Sequence, residues 1–423
     1  MDRRLSRRAF LGTVGAGAAT GLAGCKTAVP TTSGEWVETD DGPLTEFATT
    51  EFRGGIERQG VYPDAEIPTD PEVEWTLREI NTGDHTAAKA SPVGLPGGDV
   101  VVPGDNREIR RVTPEGEVVW QSTVDETSRG IHGTPAVANG VVYIGAYDGA
   151  LYSFDLESGE RYWRTKLGDA IGSSPGYHDG VVYIAVEYYD PSGAMFGVDA
   201  VTGEAVWEDD RVTNHPHSTC AIDREAGRLV VGSNDGYLYA WSYPDLDYQW
   251  RFETDDPIKG PVATHDGSAF FGSWDETVYR VALDDGTEEW AFEPDGLVMS
   301  GPSIETATDT LYVGCHDSHL YALDVADGSE QWRFDTRGSL IGCPTVTSEH
   351  VLVGSHDHHF YAVEKATGEE VWSIETVGDA SSTPLVTDDG VYVTDRASEA
   401  YLEGSVDSAE SGGLYKIVSA DDA

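Results

Sequence analysis

Residues Pro302 to Trp332 read PSIETATDTLYVGCHDSHLYALDVADGSEQW, and this stretch decides the fold because its pattern recurs along most of the chain. It divides into a short extended run (Ser303 to Glu305), a turn, an apolar run (Thr310 to Gly314), a polar His-Asp turn, an alternating run (His319 to Val325), an Asp-Gly turn and a last run carrying Trp332. The runs alternate and are rich in Val, Tyr and Ile, while Gly, Asp and Ser punctuate them. The unit therefore predicts four short strands joined by tight turns.

Equivalent units begin after Pro92, Pro135 and Pro175, at Cys220, and after Pro261, Pro302, Pro344 and Pro384. Seven of them close on Trp120, Trp163, Trp207, Trp250, Trp290, Trp332 and Trp372, and with Trp75 these lie 40 to 45 residues apart. That is the period of four-stranded propeller blades, and too long for leucine-rich or ankyrin repeats. The last unit ends with its third strand near Gly413 to Val418, so its fourth is expected from Glu72 to Arg78, EVEWTLR, which carries Trp75. Sharing one blade between the two ends closes the ring and removes two exposed sheet edges. The expectation is an all-β, eight-bladed propeller over residues 71–423, closed by an N-terminal strand at about 72–78. The eight Trp are read as blade-structural, each filling the gap between adjacent sheets.

Residues 1–24 read as an address. Ser6-Arg7-Arg8-Ala9-Phe10-Leu11 is a twin-arginine export signal, with Arg7 and Arg8 as its pair, and the Gly/Ala-rich run after it is too short and weakly apolar for a membrane span. Leu22-Ala23-Gly24-Cys25 then reads as a lipobox, which places a lipid on Cys25 and the protein on the outer surface of the cell membrane. The plainer alternative is a non-cleaved anchor or a disordered tail. Residues 25–70, rich in Thr, Gly, Asp, Glu and Pro, are expected to be a flexible tether. Within it Phe52-Arg53-Gly54-Gly55 and Gly60-Val61-Tyr62 are less bland and are candidates to pack on the ring.

The formal net charge is -48, from 75 acidic and 27 basic residues. Such a chain repels nucleic acid and anionic lipid, which excludes a nucleic-acid partner. The acidic residues are spread through every repeat, as on a solvated surface suited to high salt, and point to a halophilic archaeon; the alternative is a surface that binds cations or a basic partner. With Cys25 lipidated, Cys220, Cys315 and Cys343 remain, and their spacing matches no zinc motif, so buried free thiols are expected.

In a propeller the loops between blades and those between second and third strands share one face. Here that face receives His85, His132, His215, His217, Lys259, Met299, His316, His319, His356, His358 and His359, with Asp148, Glu187, Tyr188, Tyr189, Asp190, Asp235 and Asp275. The candidate binding face is accordingly His132, His215, His217, Lys259, His316, His319, His356, His358 and His359. Imidazoles beside carboxylates can bind a transition metal or move protons near neutrality, and His316, His356, His358 and His359 are the weak metal candidates. The plainer reading is that each His-Asp pair is a turn whose Asp does a structural job, so that specific content sits in the variable residue before it. No strand-to-helix Gly-x-Gly-x-x-Gly, Walker sequence, Gly-x-Ser-x-Gly elbow or His-Glu-x-x-His pair is present, and no catalytic residue is assigned.

Leu320 to Trp332, Phe360 to Trp372 and Ala200 to Trp207 resemble the pyrroloquinoline quinone (PQQ) repeat, whose signature is Tyr-Ala-x-Asp-x-x-Thr-Gly-x-x-x-Trp. Two classes share it. Quinoprotein alcohol dehydrogenases hold PQQ and calcium in the funnel of an eight-bladed ring, and BamB-type assembly lipoproteins use a similar ring without cofactor to hold protein partners. The sequence lacks the adjacent Cys-Cys pair and the calcium-ligand insertion of the first class, and resembles the second in size, blade number and lipid anchor. The resemblance implies a non-enzymatic binding or scaffold protein, monomeric or part of a membrane complex, with partners at the membrane surface. The alternatives are a quinoprotein dehydrogenase using PQQ and calcium, or a protein that captures a metal or small solute.

Overall fold

The inner strands of each repeat are apolar on both sides because a neighbouring sheet covers each face, whereas the outermost strand alternates. Thr310–Gly314 is buried along its length, while Glu330–Asp335 exposes every second residue or more. The computed structural model describes residues 27–30, 36–39, 49–83, 90–127 and 129–420. They form eight antiparallel sheets, blades 1 to 8 in the order of the repeats that begin at Pro92, Pro135, Pro175, Cys220, Pro261, Pro302, Pro344 and Pro384. Each has four consecutive strands except blade 8, whose fourth comes from the N-terminal side, and blade 2, which gains a fifth; a small pair of strands lies at Thr27–Pro30 and Trp36–Thr39. Arg7, Arg8, Cys25 and His85 lie outside the described residues. Among the described residues no helix is long and apolar enough to cross a membrane.

The apolar clusters lie between blades. Phe270, Val278 and Trp290 of blade 5 pack with Ile304, Leu311 and Val313 of blade 6, and similar clusters join the other pairs. Burial of this kind stabilises by roughly 25 cal/mol per Å² of apolar surface.

The closing strand is Pro71–Asn81, which pairs with Gly412–Ser419 as the outer strand of blade 8. Trp75, Trp120, Trp163, Trp250, Trp290 and Trp332 each donate their indole N–H to a carbonyl in the turn of the next blade, from Trp120 to Leu156 at 2.7 Å and from Trp332 to Lys365 at 2.9 Å. The glycine of that turn lies against the ring. A Cβ on Gly368, where φ is +74°, would stand 2.8 Å from Trp332, so this turn needs glycine for its backbone and for the approach. Trp207 is the exception. The next turn is Pro244-Asp245-Leu246-Asp247, without glycine, and Trp207 instead meets Trp241 edge-on with ring centroids 5.8 Å apart.

The flexible tether expected over residues 25–70 is corrected in its last part, because residues 51–62, and Ile67 and Pro68 after them, pack on the ring. The segment enters the central channel from the face opposite the His-rich loops and follows the ring. Thr49–Thr50 adds a fifth strand to blade 2, then Ile56, Glu57, Gln59 and Gly60 accept from the inner-strand amides of Ile222, Thr264, Ile304 and Val346, in blades 4 to 7, at 2.9 to 3.0 Å. Those amides line a narrow channel and need partners, which a polar, glycine-rich chain can supply. Gly60 is required by contact: a Cβ there would sit 2.5 Å from Ser303 Oγ. Farther on, Trp372 donates to Pro68 at 2.7 Å, so the segment stands in for the turn that blade 8 lacks.

Two buried arginines anchor this plug. Arg58 is fully buried, donates to the carbonyls of Phe52 at 2.8 Å and Pro175 at 3.1 Å, and lies 3.3 Å from the carboxylate of Glu51. Arg53 donates to Pro302 O and Ser303 Oγ of blade 6.

Candidate functional site

In six of the eight blades the loop between second and third strands is built round one aspartate. Asp357 accepts the hydroxyl of Tyr361 and the backbone N–H of Arg337, from the loop leading into the same blade. Asp148, Asp235, Asp275, Asp317 and Asp395 accept from Tyr152, Tyr239, Tyr279, Tyr321 and Tyr415 in the same way, at 2.6 to 2.8 Å. The recurring Asp is thus a latch between strand and inter-blade loop. The residue before it varies, and Tyr147, Trp274, His316 and His356 occupy that position round the channel mouth.

The mouth has two polar groups. In the first, Glu187 accepts from His217 Nδ1 at 2.8 Å, which leaves His217 Nε2 facing the Tyr147 hydroxyl at 3.1 Å. His132 lies against Tyr147 with ring centroids 4.3 Å apart, and His215 Nε2 meets the carbonyl of Tyr188 at 2.9 Å. Burial would raise the Glu187 carboxyl, but the His217 imidazole, its hydrogen bond, His215 and Arg129 together hold it below the usual glutamate value. Lys259 sits 3.6 Å from the centre of the Trp274 ring, a cation-π contact, and burial lowers its pKa.

In the second group Asp379 is flanked by His356 at 3.5 Å, His358 at 3.6 Å and Arg396 at 3.5 Å. Burial, and then the Arg396 charge, push the His356 pKa down to about 4, and His316 contributes to the same field.

The nine candidates therefore divide. His132, His215, His217, Lys259, His316, His356 and His358 surround the mouth. His319 and His359 begin third strands, where His319 lies between Asp317 at 3.1 Å and Asp335 at 3.0 Å, and His359 stacks on Tyr361. Among the described residues no group of three or more His, Cys, Asp and Glu could hold a metal ion, and His316, His356, His358 and His359 do not make such a set. Cys220, Cys315 and Cys343 are free and buried.

Below the mouth, the axial cavity is lined by His132, Lys259, Ile341, Cys343 and Thr383 and floored by Phe52 of the plug. Its volume is about 30 Å³, enough for a water or two. The three fused rings of PQQ do not fit in that volume, and among the described residues no group of three or more His, Cys, Asp and Glu stands at the cavity to hold a metal ion.

Tyr147 and Trp274 were marked in the sequence only by their place before the recurring Asp. Arg396 had no signal, and Asp379 was marked only by the Gly378-Asp379-Ala380 run that its loop shares with Gly168-Asp169-Ala170. Phe52 was signalled by the FRGG run but not as a channel floor.

Comparison with known proteins follows this geometry. The family model described as "Outer membrane protein assembly factor BamB" matches residues 105–223, 217–335 and 316–410. The Yersinia pestis protein of that name is 28% identical over 210 residues, which cover 47% of this chain and 51% of the relative; the chain thus matches about half that relative's length. Among solved structures, the quinohemoprotein alcohol dehydrogenase of Comamonas testosteroni superposes with a TM-score of 0.70 at 15% identity, over 87% of this chain and 80% of the other. BamB of Moraxella catarrhalis gives 0.61 at 16%, over 82% and 99%. At such identities the structures share the fold alone.

Proposed function

This chain belongs to the propeller family described as outer membrane protein assembly factor BamB, and we propose from that membership that it is a non-enzymatic binding or scaffold protein. In this reading a lipid on Cys25 holds it at the outer face of the cell membrane after twin-arginine export, and the channel mouth receives a protein partner. The observation that carries the reading is the plug. Residues 50–62 pair with the inner strands and leave about 30 Å³ beneath the His-rich mouth, which supports a binding surface over a cofactor chamber on that face. The mouth side also presents Tyr189, 83% exposed, and large exposed aromatics are common anchors at protein interfaces.

The competing quinoprotein reading draws on sequence likeness to the 1-butanol dehydrogenase (cytochrome c) of Thauera butanivorans, 26% identical over 157 residues that cover 31% of this chain and 22% of the relative. It is tested by adding PQQ and calcium to the protein in high salt, recording the absorption spectrum, and assaying dye reduction with alcohols and sugars. The proposal expects no bound quinone band and no dye reduction. A stoichiometric quinone spectrum with alcohol-dependent reduction would overturn it.

A further inference from the structure

The plug leaves a gap in the ring. In blades 4 to 7 the channel-facing amide at the middle of the inner strand donates to a plug carbonyl, and in blade 3 the equivalent amide of Tyr177 donates to Glu51 Oε1. In strand register the equivalents in blades 8 and 1 are Val386, opposite Val391, and Gly94, opposite Val100. The plug starts on blade 2 and leaves the inner strands at blade 7, so it does not reach these two. They face a groove of about 750 Å³, within the size range of built ligand sites and on the face opposite the His-rich mouth.

The groove walls are two inner strands and their hairpins, Pro92–Gly98 and Thr383–Asp389. Their backbone edges are free to pair, and the lining residues Val93, Leu95, Leu385 and Val386 are apolar, with side chains held in the clusters between blades. The protein already shows what such edges accept, because its own Thr49–Thr50 pairs as an antiparallel strand with the inner strand of blade 2. At the opening stand the exposed carboxylates of Asp388 and Asp389, whereas the lining Glu51 is buried against Arg58, and Arg53, the one cation among the described lining residues, is buried and donates to blade 6.

From these observations we propose that the groove between blades 8 and 1 binds an extended, basic peptide segment of a partner protein, which adds as a strand to the inner edges of both blades. Main-chain hydrogen bonds to Val386 and Gly94 supply affinity, alternate apolar side chains lie on the apolar lining, and the intervening Lys or Arg face Asp388 and Asp389. The site is separate from the mouth, so it stands or falls independently of it.

The test uses the whole exported chain and a dye-labelled peptide of alternating Lys and Val, followed by fluorescence anisotropy and amide hydrogen exchange. An alternating Glu-Val peptide and a Lys-Val peptide N-methylated at every second residue are the controls. The proposal expects saturable binding of Lys-Val, slowed exchange at Val386 and Gly94, and about tenfold weaker binding of both controls and of the Asp388→Lys, Asp389→Lys double variant. These two side chains sit on an exposed hairpin, so the variant is expected to fold. Absence of binding, equal binding of the N-methylated peptide, or binding without protection of those two amides would each overturn it; the last would mean attraction to the acidic surface at large.

Discussion

The carboxylate of Asp357 accepts the hydroxyl of Tyr361 at 2.7 Å, and the same oxygen takes the backbone N–H of Arg337 at 2.9 Å. One side chain thereby fixes a strand, its turn and the loop that brings the chain in from the preceding blade. Because the acceptor is charged and half-buried, Asp357→Ala is expected to lower stability by about 1–3 kcal/mol, and Tyr361→Phe by less. Denaturant unfolding of the two variants and the double variant checks this. Additive losses would show that the pair is not coupled.

The indole bonds predict unequal costs for equal changes. Trp332 donates to Lys365 at 2.9 Å, whereas Trp207 has no indole hydrogen bond among the described residues. Trp332→Phe should cost about 1 kcal/mol more than Trp207→Phe, beyond the packing loss common to both. Thermal unfolding of the two variants in the same salt makes the comparison, and equal losses would remove the indole bond from the account.

These two elements show what the sequence could reveal. Asp357, Trp332 and Gly368 recur at fixed offsets in several blades, so the repeat exposed the fold, the ring closure through Trp75 and the structural role of the turn aspartate. Nothing repeats in Arg396 or residues 50–62, whose positions follow from ring closure and from unpaired channel amides. A polar, glycine-rich segment reads as a tether until the strands it pairs with are in view. The candidate face was legible as a set of loops, but its division was not: His319 and His359 differ from His316 and His356 only by strand pleat and turn geometry.

The plug rests on a buried ion pair. Arg58 and Glu51 are both fully buried at the side chain and 3.3 Å apart, and burial raises the Glu51 pKa even against the pull of Arg58. Arg58→Met would leave that carboxyl without its cation and is expected to cost about 3–5 kcal/mol, with the Glu51→Gln, Arg58→Met pair recovering part of the loss. Unfolding in denaturant at constant salt measures both, and a negligible loss for Arg58→Met would show that the plug does not support the ring.

His356 gives the mouth a defined response to acid. Its pKa falls from 6.5 to about 4, through burial first and Arg396 second, against the opposing charge of Asp379 and with His316 and His358 nearby. The unfolded chain takes up this proton below pH 6.5 and the folded chain only near pH 4, so the contribution to stability is complete above 6.5 and is lost as pH falls through that window. Replacing it, as in His356→Gln, should flatten the pH dependence of stability between those values. An imidazole NMR signal from His356 that titrates at an ordinary pH would contradict the assignment.

The central claim is that the mouth meets a protein partner at the membrane. Photo-crosslinking in native membranes tests it most directly, with a photoreactive residue placed in turn at Tyr189 and His358 beside the mouth and at Val119 on the outer strand of blade 1, 48% exposed. The account predicts a discrete crosslinked protein from Tyr189 and His358 and none from Val119. Crosslinks from Val119 alone, or none from either mouth position, would contradict it.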